Sequence, residues 1–255
     1  MRFKTNQLFR FYPIFLFIIL FLFSELVLIG FNVNYGIWSY FLSLIFLFLL
    51  LSFCDFQEDI QNLLGAMTIL PIIRFIGSLM PLENFSFLMR VGIVYAIMAI
   101  GMISILFIVK IKDMHKWKGS YFFPVAILAG LGLGYLEYLI LRPSLPFESF
   151  SWGIFLLGFL FIFSTGFIEE IIFRGVLQNL FMKVFNPFIS ILLLNILFIT
   201  MHLVWKNAFE IMFVFFIGIM LSLIYYKTRN LILISLVHSS INLSLFIIFP
   251  IVFSK

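Results

Sequence analysis

The chain has 255 residues, of which 64% are hydrophobic and only 11% are charged, and its mean hydropathy is +1.22. Soluble proteins carry about 25% charged residues, so this composition excludes a single water-soluble globule and indicates a polytopic membrane protein. The net charge of +5 does not indicate a nucleic-acid partner, because the lysines and arginines lie in short connections between apolar runs. A single cysteine, Cys54, excludes an intrachain disulfide framework and a cysteine-based zinc cluster.

Apolar runs follow one another along the chain, and each approaches the roughly 20 residues that a helix needs to cross a bilayer. Lipid-exposed strands would leave backbone groups unpaired, so each run is predicted to be a helix. The predicted fold class is all-α, a polytopic transmembrane bundle of eight to nine crossings that forms one membrane domain. The nine runs are Tyr12–Gly30, Ile37–Cys54, Leu63–Leu82, Phe85–Val109, Tyr121–Leu141, Trp152–Ile172, Phe188–Val204, Phe209–Tyr226 and Leu231–Phe253.

The distribution of positive charge predicts the orientation in the membrane. With nine crossings, ten basic residues fall on the side of the N-terminus and three on the opposite side, which by the positive-inside rule places the N-terminus in the cytoplasm. The protein is thus predicted to be an integral, multi-pass membrane protein that contacts the lipid bilayer. The ten are Arg2, Lys4, Arg10, Lys110, Lys112, Lys116, Lys118, Lys183, Lys227 and Arg229, and the three are Arg142, Lys206 and Lys255.

Ionisable residues are concentrated in the apolar runs of the second half of the chain. A charge at the centre of a bilayer costs roughly 2.5–3.5 kcal/mol on insertion scales, so such a cluster requires a partner, a water-filled cavity or a function. Near the predicted inner end of the sixth run, Glu170 and Arg174 are four residues apart and can form an ion pair on one helix face. Glu169 then points about 100° away from that pair and is available for another role.

The seventh run contributes His202, and the ninth contributes His238 and Asn242, which share one helix face. A carboxylate can accept a proton from water, and imidazole and amide N–H groups can stabilise the resulting oxyanion, so these residues suffice for general-base hydrolysis of a peptide bond. The predicted depths of the two histidines in the membrane argue against a common site. At 1.5 Å per residue from the predicted inner ends, His238 lies roughly 10 Å deep and His202 roughly 20 Å deep.

At these positions the sequence resembles the CPBP intramembrane proteases, also called the Abi or CAAX-protease family, which includes the type II CAAX prenyl endopeptidases. Three motifs carry the resemblance, in the family's order and late in the chain. The EExxxR motif is matched by Glu169, Glu170 and Arg174, the FxxxH motif by Phe198 and His202, and the HxxxN motif by His238 and Asn242. Residues 151–255 are thus predicted to form the catalytic helices, whereas the helices within 1–150 carry no recognised motif.

The resemblance implies a role for each motif residue. Glu169 would activate the attacking water with His202 beside it, His238 and Asn242 would hold the oxyanion, and Glu170 and Arg174 would support them. Phe198 is expected to serve packing. A zinc site formed by His202, His238 and Glu169 is the alternative, but we favour a reaction without a metal, because zinc would make the oxyanion role of Asn242 partly redundant. No HExxH zinc-protease helix occurs in the sequence.

Other polar or small residues within the apolar runs have simpler explanations. The alternating glycines Gly130, Gly132 and Gly134 indicate close helix packing rather than a nucleotide loop, since no strand precedes them. Glu137, Arg74 and Arg90 are expected to line the cavity or to pair with one another across helices. Glu25 and Glu210 are expected at a membrane interface, and His115 is expected in a solvated loop near anionic lipid.

The predicted function is that of an intramembrane endopeptidase acting on a membrane-associated protein or peptide. Three alternatives remain open. They are a structural polar network, a transporter or channel, and a non-catalytic immunity or binding protein of the same fold. The sequence does not indicate whether the substrate is prenylated, and it does not indicate an oligomeric state.

Overall fold

The structure, a computed structural model of the chain, describes residues 3–4, 11–80, 84–109, 114–145 and 151–253. Within these residues it is almost entirely helical, and nine helical segments are long and apolar enough to cross a membrane, which confirms the predicted fold class. The charges used to predict orientation lie partly outside the described residues, as does the predicted end of the third run, so the cytoplasmic N-terminus stays a prediction. The residues concerned are Arg2, Arg10, Lys110, Lys112, Lys255 and Leu82.

The helices are named in chain order. Two two-residue strands, β1 (Phe3–Lys4) and β2 (Cys54–Asp55), pair in parallel. The helices are α1 (Tyr12–Gly30), α2 (Val33–Phe53), α3 (Glu58–Met67), α4 (Ile69–Leu79), α5 (Phe87–Ile108), α6 (Phe123–Leu141), α7 (Trp152–Glu170), α8 (Asn179–Val184), α9 (Pro187–Thr200), α10 (Ala208–Thr228), α11 (Leu231–Leu243) and α12 (Phe249–Phe253). Two π-helical segments, Ile171–Gln178 and Ser244–Ile248, join α7 to α8 and α11 to α12, and 3₁₀ turns at Ser120–Phe122 and Leu203–Trp205 precede α6 and follow α9.

Local sequence explains where several helices begin. Asn and Ser side chains accept a hydrogen bond from the first helical turn, which satisfies one of the N–H groups that a helix start leaves unpaired. Pro187 occupies the first turn of α9, where a missing N–H costs nothing. The capping residues are Asn32 (α2), Ser86 (α5), Ser151 (α7), Asn186 (α9), Asn207 (α10) and Asn230 (α11).

Two segments differ from the predicted runs. The third crossing begins earlier, at Glu58, and bends at Thr68, where α3 gives way to α4. The sixth does not end at Ile172 but continues through a π-helical segment to Val184, so that Trp152–Val184 is one helical segment of 33 residues. The EExxxR motif therefore lies in the middle of a long helical segment and not at its inner end.

α11 occupies the centre of the C-terminal half and packs against both α6 and α7. Gly130 and Gly134 of α6 face α11 so closely that a Cβ atom at either position would overlap main-chain atoms of α11, whereas the position of Gly132 is open. The predicted helix-packing role is thus confirmed for two of the three glycines. On the other side, a Cβ at Gly166 of α7 would lie 2.5 Å from the Ser239 nitrogen, so α7 and α11 meet backbone to backbone beside the motif residues.

Candidate active site

The two motif glutamates stand at the end of α7, immediately before the π-helical segment. Glu170 is fully buried and Glu169 nearly so. π-Helical turns inside α-helices are rare and frequently mark functional sites, because the extra residue changes the direction of the side chains that follow. Here the segment contains Arg174, whose Nη1 donates to Glu170 Oε1 over 2.8 Å. The predicted Glu170–Arg174 ion pair is present.

Arg174 is the largest fully buried side chain among the described residues, and its polar atoms are engaged with several groups. Its Nη2 donates to the Gly218 carbonyl over 3.0 Å, and its Nε donates to the Ser222 hydroxyl over 3.3 Å. The guanidinium also lies 4.4 Å from the centre of the Phe198 ring, a cation–π distance. Arg174 therefore ties the glutamates to α10 and to the FxxxH motif.

His238 lies between the two carboxylates. Its Nδ1 donates to Glu170 Oε1 over 2.7 Å, and its Nε2 lies 3.7 Å from Glu169 Oε2. Because a carboxylate only accepts, the hydrogen bond to Glu170 places a proton on Nδ1 and directs Nε2 toward Glu169. The two adjacent glutamates thus make different contacts with His238: Glu170 accepts a hydrogen bond that orients the imidazole, and Glu169 faces the other ring nitrogen.

Phe198 brings the second histidine to the same place. Its ring centre lies 4.9 Å from that of His202 and 6.0 Å from that of His238. His202 follows the end of α9, and its Nδ1 donates to the Phe198 carbonyl over 3.0 Å, which leaves Nε2 free on the other side of the ring. The packing role predicted for Phe198 is therefore a specific one, since a single ring supports both imidazoles.

Two further side chains connect the catalytic candidates to neighbouring helices. Asn242, one turn beyond His238, donates through Nδ2 to the Thr165 hydroxyl over 2.8 Å. The hydroxyl of Tyr95, on α5, donates to Glu169 Oε1. Tyr95 thereby holds the carboxylate expected to activate water, and Thr165 holds the amide expected to bind the oxyanion.

Two cavities meet at His202. The larger, of about 340 Å³, is lined by Glu169, His202, Tyr95 and Arg74 together with apolar residues. The smaller, of about 30 Å³, is lined by His202, His238, Asn242 and Glu137. It is large enough for a single water, which needs roughly 10–15 Å³. The residues expected to activate water thus face one cavity, those expected to hold the oxyanion face the other, and His202 faces both.

The predicted difference in depth between the two histidines has a structural explanation. Leu231, the first residue of α11, lies beside Gly175, and the chain continues from Gly175 to Val184, about 13 Å farther at 1.5 Å per residue. α9 starts from that far end, so its start is not level with that of α11. This offset compensates for the roughly 10 Å difference, and His202 and His238 reach the same level.

Suitability for a metal can be judged from the arrangement of the donors. Among the described residues, no three His, Cys, Asp or Glu side chains are placed so that they could hold a metal ion, and this includes the trio His202, His238 and Glu169. One nitrogen of each imidazole is engaged with a protein acceptor, Glu170 for His238 and the Phe198 carbonyl for His202, a pattern that is also common for histidines that bind metals. What disfavours a zinc ion is therefore the spacing of the three donors and not their hydrogen bonds.

Several other polar residues of the apolar runs have partners that the sequence did not identify. Arg74 lines the larger cavity, as expected, but its ion-pair partner is Glu25. The side chains of Glu25 and Glu210, which were expected at a membrane interface, are both fully buried within the protein. Glu210 contacts Glu137, which lines the smaller cavity. Arg90 is exposed.

His115 differs from its expected place in a solvated loop. It is half-buried, and its Nδ1 accepts a hydrogen bond from the Leu231 N–H over 3.1 Å, so it caps the start of α11.

Tyr95 is the functional residue that sequence reasoning missed. A signal for it exists, since it is the one tyrosine in α5, an otherwise largely apolar helix, and a hydroxyl group in an apolar environment requires a partner. The sequence alone did not indicate that this partner is Glu169, because the two residues are 74 positions apart.

Comparison with known proteins agrees with the motifs. Residues 151–244 match the family model described as type II CAAX prenyl endopeptidase Rce1-like. All seven motif residues lie within this range, and the predicted resemblance is confirmed for this part of the chain. No curated protein and no solved structure is significantly similar to the chain.

Proposed function

We propose that this multi-pass membrane protein, whose residues 151–244 form an Rce1-like domain, is an intramembrane endopeptidase that hydrolyses a peptide bond of a membrane-associated protein. One observation carries the proposal: His238 contacts both carboxylates of the EExxxR motif, through Nδ1 to Glu170 and with Nε2 3.7 Å from Glu169. A purely structural ion pair would require Arg174 and Glu170 alone. The second carboxylate, facing a cavity, has the position of a general base.

In the proposed reaction a water molecule in the larger cavity attacks the carbonyl carbon of the peptide bond. As its oxygen bonds to that carbon, one of its protons passes to Glu169, with His202 orienting the water. The negative charge on the former carbonyl oxygen is stabilised by the Asn242 amide N–H and by His238 as an imidazolium ion, in which Nε2 carries a second proton. Glu169 then delivers the proton to the amide nitrogen as the C–N bond breaks, which yields a new carboxyl terminus and a new amino terminus.

The proposal requires the scissile carbonyl to lie where the two cavities meet. There its carbon faces the water beside Glu169, and its oxygen faces the smaller cavity, where His238 and Asn242 lie. The orienting bond from His238 to Glu170 fixes the ring before substrate arrives, which is how a preorganised oxyanion site lowers the barrier. Thr165 holds the Asn242 amide in the same way.

We further propose that water activation needs no metal ion. The support is the spacing of the donors, since no three His, Cys, Asp or Glu side chains among the described residues are grouped so that they could hold a metal ion. Incubation with a chelator followed by dialysis is expected to leave the rate of hydrolysis unchanged. Loss of activity that added zinc restores would instead identify a zinc enzyme.

The family description names CAAX prenyl endopeptidases, so a prenylated peptide with a CAAX ending is the first substrate to test. With the N-terminus in the cytoplasm, as the positive charges predict, the substrate would be a protein attached to the cytoplasmic leaflet. An unprenylated membrane protein is the other outcome. Comparing new carboxyl termini in membranes from cells with the active and the inactive protein distinguishes these two substrates.

The decisive variant is Glu169→Gln, which keeps the shape of the side chain and removes its ability to take a proton. Hydrolysis by the purified protein in liposomes is expected to fall at least 100-fold, within the range for loss of a general base. Glu58→Gln is the matched control, because Glu58 is an exposed glutamate in the first turn of α3, outside the site. Unchanged hydrolysis by Glu169→Gln would refute the proposal.

Transport is a second candidate function, favoured by the contact between Glu137 and Glu210. These buried carboxyl groups on α6 and α10 meet beside the smaller cavity, and ionisable residues inside membrane helices commonly mark proton or ion pathways. Proton flux into liposomes that is lost in Glu137→Gln but retained in Glu169→Gln would support transport. A non-catalytic immunity or binding role predicts that Glu169→Gln retains the full biological effect.

A further inference from the structure

A second ion pair with a buried glutamate joins helices outside the motif region, at the wall of the larger cavity. Arg74 Nη2, on α4, donates to Glu25 Oε1, on α1, over 2.8 Å. The hydroxyl of Tyr40, on α2, donates to the other oxygen of the same carboxylate. Glu25 and Tyr40 are fully buried, whereas Arg74 lies at the cavity wall with about a fifth of its side chain exposed.

The same nitrogen of Arg74 has a second partner, the main-chain carbonyl of Met201, at 2.6 Å. α9 ends at Thr200, and the last carbonyls of a helix lack partners within the helix. A cation at this end of a helix is favourable, since the aligned peptide dipoles leave partial negative charge there. Arg74, on α4, therefore caps the C-terminal end of α9, although it lies 127 residues before Met201 in the chain.

The residue after Met201 is His202. Its own main-chain N–H donates to the Ile199 carbonyl over 2.9 Å, and the chain then enters the short 3₁₀ turn Leu203–Trp205. His202 thus lies at the point where a helix ends and changes direction. At such a point the position of the main chain depends on contacts from outside the helix. The hydrogen bond from Arg74 to the Met201 carbonyl is such a contact.

We propose that Arg74 is a positioning residue for His202, acting through the Met201 carbonyl, with Glu25 and Tyr40 holding the guanidinium in place. The inference rests on the proposed function for the role of His202 in hydrolysis, but its geometry does not depend on that role. It gives the motif-free helices α1, α2 and α4 a task in the reaction. They set the place of one of the two imidazoles.

The competing explanation is that the ion pair only fastens α1 to α4. A single Arg74→Met variant would not distinguish the two explanations, because it leaves Glu25 buried without its counter-charge and so combines a loss of stability with any effect on His202. The double variant Glu25→Gln/Arg74→Met removes both charges and leaves none unpaired, while the Met201 carbonyl still loses its donor. Arg90→Met is the matched control, since Arg90 is an exposed arginine on α5.

The chain has three histidines, which makes their side chains suitable reporters. With ¹⁵N-labelled histidine, the imidazole signals of the full chain in nanodiscs can be assigned from the spectrum of His202→Gln. In the double variant the His202 signals are expected to shift or broaden, whereas the His115 signals stay in place and Arg90→Met changes neither. Unchanged His202 signals in a folded double variant would overturn the proposal. This measurement needs no substrate, so its failure is distinct from a failure to find hydrolysis.

Once a substrate is known, the kinetics separate positioning from substrate binding. A displaced catalytic group costs up to about 100-fold in rate, so kcat of the double variant is expected to fall about 10- to 100-fold while KM changes less than about threefold. Arg74→Lys is expected to recover part of kcat, because an ammonium group can still donate to Met201 and balance the Glu25 charge. A rise in KM with unchanged kcat would assign Arg74 to substrate binding and overturn its positioning role.

Discussion

The structure contains two glutamate–arginine pairs with a fully buried glutamate, and each pair is connected to a histidine. In the motif pair, Glu170 binds Arg174 four residues later and holds His238 directly. In the second pair, Glu25 binds Arg74 from a distance of 49 residues, and Arg74 holds the carbonyl that precedes His202. The chemistry of the two pairs is similar, but both residues of the Glu170–Arg174 pair belong to one sequence motif, whereas Glu25 and Arg74 are brought together by tertiary packing.

This difference shows which kind of support a sequence can reveal. A pair four residues apart on one helix follows from helical geometry alone, so the motif pair is visible in the sequence. The second pair depends on the crossing of α1, α2 and α4. No spacing rule connects these helices, although an arginine and a glutamate in apolar runs each signal that a partner must exist.

The largest expected effect comes from breaking the motif pair. Arg174→Met would leave Glu170 without its cation in a fully buried place, and the loss in the free energy of unfolding is expected to be about 3–5 kcal/mol. A denaturant titration in detergent micelles measures it. Because Glu170→Gln/Arg174→Met leaves no unpaired charge, most of the stability should return in that variant.

The matched control for that titration is Lys183→Met. Lys183 and Asp59 are half exposed and 3.9 Å apart, and such a surface pair contributes about 0–1 kcal/mol. If Arg174→Met were no more destabilised than this control, the motif pair would not be a structural element of the site.

A smaller effect is expected from breaking the second pair. Arg74→Met is expected to lower the free energy of unfolding by about 2 kcal/mol, since Arg74 borders the cavity, where water can replace part of its hydrogen bonding, and Tyr40 still donates to Glu25. The same titration compares it with Arg174→Met. A loss equal to or larger than that of Arg174→Met would show that the second pair is the more important of the two for folding.

The smallest effect is expected from the hydroxyl that α5 contributes to the site. Tyr95→Phe removes one hydrogen bond to Glu169, worth about 1 kcal/mol, which corresponds to a roughly fivefold decrease in kcat. Tyr35→Phe is the control, because Tyr35 is an exposed tyrosine of α2. Equal rates for the two variants would mean that Glu169 is oriented without help from the N-terminal half of the chain.

Much of the fold could be predicted from the sequence, because nine apolar runs with polar connections leave few alternatives for a chain in lipid. The sequence predicted which residues form the candidate site, but not where each of them lies along the direction of the helices. The sequence placed the EExxxR motif near a helix end, and the helix in fact continues to Val184, since a π-helical segment has no clear sequence signature. The level of each histidine depends on where its helix starts relative to the others, and that is fixed by packing.

The contributions of Tyr95 and Arg74 were harder to predict for the same reason. Each contacts a residue far along the chain, and one sequence alone does not record which helices are neighbours. His115 illustrates the converse error, because it lies among lysines in a connection yet caps the start of the helix that carries His238.

The contact between Gly166 and Ser239 has a consequence for how the site tolerates change. α7 delivers the acids and α11 delivers the imidazole and the amide, and at this point nothing but a hydrogen atom separates the two main chains. A methyl group at position 166 would overlap α11 and push the two sets of motif side chains apart. The distance between the motif glutamates and the imidazole of His238 therefore depends on the absence of a side chain at Gly166.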